Sequence, residues 1–217
     1  MKNDGKVIRM QYRAYLTGEP GADAVAACKA LIDTAVEAGA LLVAAVYRWE
    51  QNLFAYVESV DVATDPEALF EPLAGSLSAW PGKAKPRLWV PMMDIFHFNE
   101  PENLDHWLRK TAPEKRVGKV GVLLPEMVSS YIYYHYGLQE ERTFGGDKYE
   151  IIALHENLLF GYFEEPLVVE EPLYPQRLNT KSMPENWPDA RIPDHFVRWP
   201  NWKGSLLPLE MLVGGWR

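Results

Sequence analysis

A tyrosine and a histidine spaced for one face of a helix are the residues of this chain best suited to chemistry. Tyr131 and His135 are one helical turn apart, and Val128 and Leu138 extend the same face. Histidine gives and takes a proton near neutral pH, and a tyrosine hydroxyl can orient a hydroxylated ligand. The pair predicts a small-molecule pocket in which His135 moves protons and Tyr131 positions the ligand. The alternative is a hydrogen-bonded histidine of the core.

The segment that carries this pair lies in the second copy of an internal repeat. Residues 50–58 return as residues 156–164, with Glu, Leu, Phe, Tyr and Glu at the same places. A Trp-Pro pair follows each copy, at Trp80 and at Trp199. Because two copies are too few for a solenoid, the repeat predicts a fused pseudo-dimer.

The two copies differ where chemistry is expected. In the register that we infer for the repeat, the first copy has alanines where the second has polar aromatic residues. The three positions are Ala26, Ala30 and Ala44, which fall opposite Tyr131, His135 and Tyr149. A single site in the second copy is therefore predicted, with Tyr149 as a further residue that positions the ligand.

Apolar periodicity and turn residues predict the order β-α-β-β-α-β in each copy, which is the ferredoxin-like arrangement. In the first copy we expect strands at 7–16, 41–47, 53–60 and 88–98, and helices at 22–38 and 67–78. In the second copy we expect strands at 119–124, 149–154, 158–164 and 206–216, a helix at 125–141 and a short helical remnant at 195–199. Residues 165–194 are rich in proline and are expected to form a long irregular excursion.

The expected fold class is α+β, with two tandem ferredoxin-like units that pack sheet to sheet as an intramolecular α+β barrel. The predicted domains are 1–99 for a first unit without the site, 100–118 for a linker and 119–217 for the unit with the site. Fusion provides the sheet contact within one chain, so a monomer is expected, with a homodimer as the alternative.

Composition and charge exclude several classes of function. The formal net charge of −8 argues against a nucleic-acid surface, and no apolar run approaches the length of a membrane span. The start of the chain lacks the apolar stretch of a signal peptide, so a soluble, cytoplasmic protein is expected. Cys28 is the single cysteine, which excludes an internal disulfide, and no pair of histidines has metal-ligand spacing. We expect no metal, no organic cofactor, no nucleic acid and no membrane partner.

The second copy resembles the L-rhamnose mutarotase family in the strand ending at Pro125, in Tyr131, His135 and Tyr149, and in the hairpin at 157–160. The resemblance implies anomer interconversion of a rhamnose-like or other deoxy sugar, with His135 as the proton-transferring residue. It also implies sugar contacts by Tyr131 and Tyr149. The family's tryptophans before the last strand correspond to Trp199 and Trp202, at a different spacing. The family's helix is longer, and its Asn-Pro-x-Trp after the histidine is absent.

Two other functions stay open on the same residues. The pocket could bind a small hydroxylated or aromatic ligand without turnover. Alternatively, the chain could be a cofactor-free monooxygenase or a lyase-like enzyme of similar fold, which is an argument by analogy. The sequence does not give the substrate, but it favours an isomerase that needs no cofactor.

Overall fold

The computed structural model describes residues 4–82, 86–181, 184 and 187–217 of the chain. Paired strands are antiparallel and alternate with helices, so the predicted α+β class is confirmed. The strands are β1 (Val7–Leu16), β2 (Leu41–Trp49), β3 (Asn52–Val60), β4 (Leu77–Ser78), β5 (Val90–Pro91), β6 (Met93–His97), β7 (Lys115–Val122), β8 (Gly146–Asp147), β9 (Ile151–His155), β10 (Leu158–Glu165), β11 (Val169–Glu170), β12 (Leu207–Pro208) and β13 (Glu210–Trp216). The α-helices are α1 (Ala22–Glu37), α2 (Pro66–Leu69), α3 (Leu104–Trp107) and α4 (Val128–Glu141).

The chain folds into two compact units. Unit 1 comprises Met1–Met92, Pro101–Thr111 and Leu209–Arg217, and unit 2 comprises Met93–Glu100 and Ala112–Pro208. In unit 1 the strand order is β13-β2-β3-β1-β4, and β5 also pairs with β1. In unit 2 the order is β12-β7-β10-β9-β6, beside a small sheet of β8 and β11.

The last strand of each sequence copy completes the sheet of the other unit. The strand predicted at 88–98 is divided: β5 pairs with β1 in unit 1, whereas β6 pairs with β9 in unit 2. The strand predicted at 206–216 is divided in the same way, since β12 pairs with β7 and β13 pairs with β2. The outer edge of each central hairpin thus receives a strand from the other copy. For this reason the compact units differ from the predicted ranges 1–99 and 119–217.

Local sequence signals account for most of the other elements. Helix α1 ends before Gly39, whose φ of 74° is the left-handed conformation expected after a helix. The helix predicted at 67–78 is wrong in extent: α2 is a single turn, and a 3-10 helix spans Glu71–Ser76. Pro72 explains the break, because it cannot donate the backbone hydrogen bond that would continue α2. The helical remnant predicted at 195–199 is a 3-10 turn at Ile192–His195, followed by extended chain.

The repeated Tyr-x-Glu of the two hairpins forms a buried polar pair in each unit. The Tyr56 hydroxyl donates to Glu58 at 2.5 Å, and the Tyr162 hydroxyl donates to Glu164 at 2.6 Å. Both carboxylates are buried. The repeat therefore preserves an internal hydrogen bond as well as the apolar pattern of the hairpin.

Glu58 lies at the centre of a network in unit 1. Arg109 donates to both carboxylate oxygens, and the Trp107 indole donates to Oε1 at 3.0 Å. Burial alone would raise the pKa of Glu58, but the charge and hydrogen bonds of Arg109 outweigh burial and lower it. The short helix α3 and the residues after it thereby tie the segment predicted as a linker to the sheet of unit 1.

We expect Glu58→Gln to lower the free energy of unfolding by about 3 kcal/mol, because the largely buried Arg109 side chain then loses the negative charge of Glu58. Since the pKa of Glu58 is lower in the folded chain, this stabilisation is present above pH 4.5 and is lost as the pH falls through the folded value. Urea unfolding of both proteins at neutral and acidic pH measures the difference. The control is Glu19→Gln, whose carboxylate pairs with Arg48 at the surface and should change little. Equal stability of Glu58→Gln and the parent at neutral pH would contradict the network's role.

Candidate functional site

Helix α4 carries the predicted pair into the core of unit 2. A 3-10 turn at Pro125–Met127 leads into the helix, and Tyr131 and His135 are both buried on its inner face. Tyr131 belongs to an apolar cluster with Phe96, Phe196 and residues of the sheet. The structure thus brings Tyr131 and His135 together as the spacing predicted.

The two rings lie face to face. Their centroids are 3.9 Å apart with an interplanar angle of 24°. His135 Nδ1 lies 3.0 Å from the Tyr131 carbonyl oxygen, and a carbonyl can only accept, so Nδ1 carries the proton. The basic lone pair of the neutral ring is therefore on Nε2.

Burial sets the protonation state of the pair. Burial lowers the pKa of His135 to about 4, although the hydrogen bond to the Tyr131 carbonyl opposes the shift, and the electrostatic effect of the nearby His195 adds to it. Burial also raises the pKa of Tyr131, and Glu150 raises it further. At neutral pH the site therefore holds a neutral imidazole stacked on a neutral phenol.

A cavity of about 480 Å³ is lined by Trp187, whose ring contacts His135; His135 itself is not among the described lining residues. The apolar wall of the cavity includes Phe98, Leu138, Phe144 and Trp187. Trp187 meets the imidazole edge-on at 5.6 Å between centroids, and Leu138 lies one helical turn beyond His135. His135 thus stands behind the aromatic wall of a cavity with the size of a small-molecule site.

Arg142 places a cation on the polar side of this cavity. Its Nη1 donates to the Gln139 carbonyl at 2.7 Å, and its guanidinium carbon lies 5.1 Å from the centroid of the Phe98 ring. Burial lowers the pKa of Arg142, and Arg177 lowers it further. Glu141 lines the same side and accepts from the Thr180 backbone at 2.9 Å.

Two glycines that look like ordinary turn residues in the sequence shape the cavity. A Cβ on Gly146 would lie 2.2 Å from the Phe98 ring, and a Cβ on Gly145 would lie 2.8 Å from the Glu170 carbonyl oxygen. Glycine at 146 therefore lets Phe98 pack against the chain and form part of the cavity wall.

His195 is the functional candidate that sequence reasoning missed, because its segment has no periodicity. The residue is buried, and its Nε2 lies 2.8 Å from the Ser130 hydroxyl on α4. Its Nδ1 lies 3.3 Å from the Arg191 carbonyl, which can only accept, so Nδ1 is the donor there. The Tyr131 ring is 6.1 Å from the His195 ring, which puts a histidine on either side of Tyr131.

The other predicted site residues lie outside helix α4. Tyr149 is buried in the turn before β9 instead of opening the strand, and its backbone N–H donates to the Asp147 carboxylate at 3.2 Å. It does not belong to the apolar cluster that holds Tyr131. Trp199 and Trp202 line a different cavity, which shares no lining residue with the first.

The helix register inferred from the repeat is also corrected. Ala26 and Ala30 are exposed, so they do not occupy the inner face of α1. The buried residues of that helix are Cys28 and Ile32, which share the i, i+4 spacing of Tyr131 and His135. The contrast between an apolar and a polar aromatic pair persists in this register.

Two general features are absent from the part of the chain that the structure describes. No helix there is long and apolar enough to cross a membrane. No group of three His, Cys, Asp or Glu side chains is placed there to hold a metal ion.

Comparisons with known proteins give distant structural similarity alone. No family model matches the chain, and no curated protein matches it. Two solved structures described as a "putative monooxygenase" align with it. The one from Lactobacillus acidophilus NCFM has a TM-score of 0.43 and 7% identity, over 96% of this chain and 95% of that chain. The one from Fusobacterium nucleatum has a TM-score of 0.39 and 11% identity, over 96% of this chain and 94% of that chain. An anthrone oxidase-like protein aligns with a TM-score of 0.36, 9% identity, and 99% and 94% coverage. At these scores the similarity identifies neither a family nor an activity.

We expect the His135 imidazole to titrate with a pKa of about 4 in NMR spectra of the folded protein. The unfolded chain binds this proton at its ordinary pKa of 6.5, so the folded state loses up to about 3 kcal/mol of stability as the pH falls from 6.5 to 4. His135→Gln keeps a donor for the Tyr131 carbonyl and should remove that part of the pH dependence of unfolding. An imidazole that titrates near 6.5 would contradict the buried neutral state.

We expect Gly146→Ala to lower the free energy of unfolding by about 2 kcal/mol, because the new methyl group overlaps the Phe98 ring. Displacement of that ring should also change the environment of the cavity, which aromatic NMR shifts of Phe98 would report. Gly18→Ala is the matched control, since no heavy atom lies within 4 Å of its Cβ position. If both variants unfold at the same denaturant concentration, the close approach of Phe98 to residue 146 is not a constraint.

Proposed function

We propose that unit 2 binds a small, planar, largely apolar molecule with an ionisable hydroxyl or carbonyl-activated C–H group, and that neutral His135 accepts its proton. The observation that carries the proposal is the neutral imidazole behind the Trp187 wall of a 480 Å³ cavity. The aromatic lining favours a flat apolar ligand, and the Arg142 guanidinium complements negative charge that develops on its oxygen.

The proposed reaction is cofactor-free oxygenation. Proton transfer to Nε2 of His135 leaves an electron-rich carbanion or phenolate in the cavity, and this anion reduces molecular oxygen directly. One oxygen atom enters the substrate and the other leaves as water, whose two hydrogens are the proton taken up by His135 and the hydrogen of the carbon that is oxygenated. The anion raises the proton affinity of the adjacent imidazole, so the pKa of His135 in the complex exceeds that in the free protein.

Sugar mutarotation receives less support from the same geometry. That reaction needs a group that donates a proton to the ring oxygen as well as one that accepts a proton. With a pKa of about 4, His135 is protonated in roughly one molecule in a thousand at pH 7. In addition, most of the residues that line the cavity are apolar, although Glu141, Arg142 and Thr143 also line it. Binding without turnover remains the other alternative.

We expect the protein to accelerate oxygen uptake by dithranol, a planar anthrone with an acidic C–H group, and His135→Gln to lower kcat by at least about a hundredfold. An oxygen electrode measures uptake, and absorbance measures product formation. His155→Gln, a half-buried histidine of the β9–β10 hairpin, is the matched control and should keep full activity.

Binding and turnover are separated by following tryptophan fluorescence under nitrogen. Dithranol binding by both the parent and His135→Gln, with oxygen uptake by the parent alone, supports the proposal. Binding with no oxygen uptake by the parent favours a binding module. NMR saturation transfer with rhamnose and other monosaccharides tests mutarotation, and faster anomer exchange that depends on His135 would overturn the oxygenase proposal.

A further inference from the structure

A second cavity of about 370 Å³ lies in unit 2, within the chain that precedes the last strands. Its lining begins at Pro193 and ends at Ser205. The segment is anchored where it leaves the core: Leu124 donates to the His195 carbonyl at 2.8 Å, and Val197 donates to the Val122 carbonyl at 2.8 Å. The cavity is therefore built on chain that the strand β7 and the start of α4 hold in place.

The charge of this cavity is opposite to that of the protein. Arg198 and Lys203 line it, and no Asp or Glu occurs among its described lining residues. The whole chain has a formal net charge of −8. Two cations among described lining residues that include no carboxylate favour an anionic ligand.

Tryptophans supply an aromatic surface next to these cations. Trp202 lines the cavity with 43% of its surface exposed. Its indole N–H donates to the Leu206 carbonyl at 2.9 Å, and that of Trp199 donates to the Ser205 carbonyl at 3.0 Å. Both N–H groups are thus satisfied within the loop, and what the rings offer to a ligand is their apolar surface.

Gly204 holds the Trp202 ring close to the backbone. A Cβ at this position would lie 2.6 Å from the indole nitrogen. Only glycine lets the ring approach so closely without a shift, so glycine at 204 allows the Trp202 indole to pack against the backbone.

We propose that this cavity binds a small anion that carries an aromatic ring, either an aryl phosphate or an aryl carboxylate. The anionic group meets Arg198 and Lys203, and the ring packs on Trp202. The site is separate from the His135 cavity, with which it shares no lining residue. It is also distinct from the sugar contact that the sequence resemblance implies for Trp199 and Trp202, because it requires a charge.

Isothermal titration calorimetry of the full chain with phenyl phosphate, benzoate, phenol and inorganic phosphate tests the proposal. We expect phenyl phosphate or benzoate to bind, with phenol and inorganic phosphate each binding at least about tenfold more weakly. The double variant R198Q/K203Q should weaken binding of the aryl anion about tenfold, and added salt should weaken binding to the parent. Trp202→Ala should weaken the aryl anion but leave inorganic phosphate unchanged.

The matched control is Lys110→Gln, which removes an exposed cation from unit 1 and should leave the affinity unchanged. Binding of phenol as tight as that of phenyl phosphate would overturn the role of the cations. Absence of binding by both aryl anions at millimolar concentration, or unchanged affinity in R198Q/K203Q, would overturn the site. His135→Gln should bind the aryl anions like the parent, so failure of the proposed oxygenation and failure of this site give different results.

Discussion

A buried tyrosine–carboxylate hydrogen bond lies at the middle of each sheet, and the rest of each unit is organised around it. Glu58 and Glu164 are fully enclosed by strands, where a carboxylate is tolerated only with strong donors around it. In unit 1 these donors come from Tyr56, Trp107 and Arg109, so the chain after the hairpin has to return to the sheet. In unit 2, Arg116 on β7 lies 3.6 Å from Glu164. The need of each buried carboxylate for hydrogen-bond donors therefore determines which segments pack against each hairpin.

The sequence predicts the local elements of the fold better than their partners. Strand β1 and the end of helix α4 have the expected bounds, because alternation, proline, glycine and helical periodicity are local signals. The exchange of the last strands is not encoded locally. The residue types at 93–97 and 210–216 do not indicate which hairpin edge each strand joins, since either edge offers the same backbone donors and acceptors. A repeat favours pairing within a copy as the simplest expectation, and the structure has pairing across copies.

The residues of the candidate site also differ in how well the sequence predicts them. Tyr131 and His135 were predictable because they lie four residues apart on one helix. Tyr149 was misplaced because the turn before β9 takes two more residues than the repeat suggested, and His195 was missed because its segment has no period. Helices α1 and α4 show why the repeat alone could not align the two copies. The number of residues that separates the two hairpins differs from the number that separates the buried faces of the two helices. One constant shift in residue number therefore does not align both.

Strand exchange also has a consequence for synthesis of the chain. The ribosome completes β1, α1, β2 and β3 early, but β13, which pairs with the free edge of β2, follows only after the strands β4 to β12 have been translated. Until then that edge exposes unpaired backbone groups on a strand rich in valine and alanine, a surface on which nascent chains associate. The free edge of β2 therefore has to be protected until β13 has been translated, either by a chaperone or by incomplete folding of the sheet.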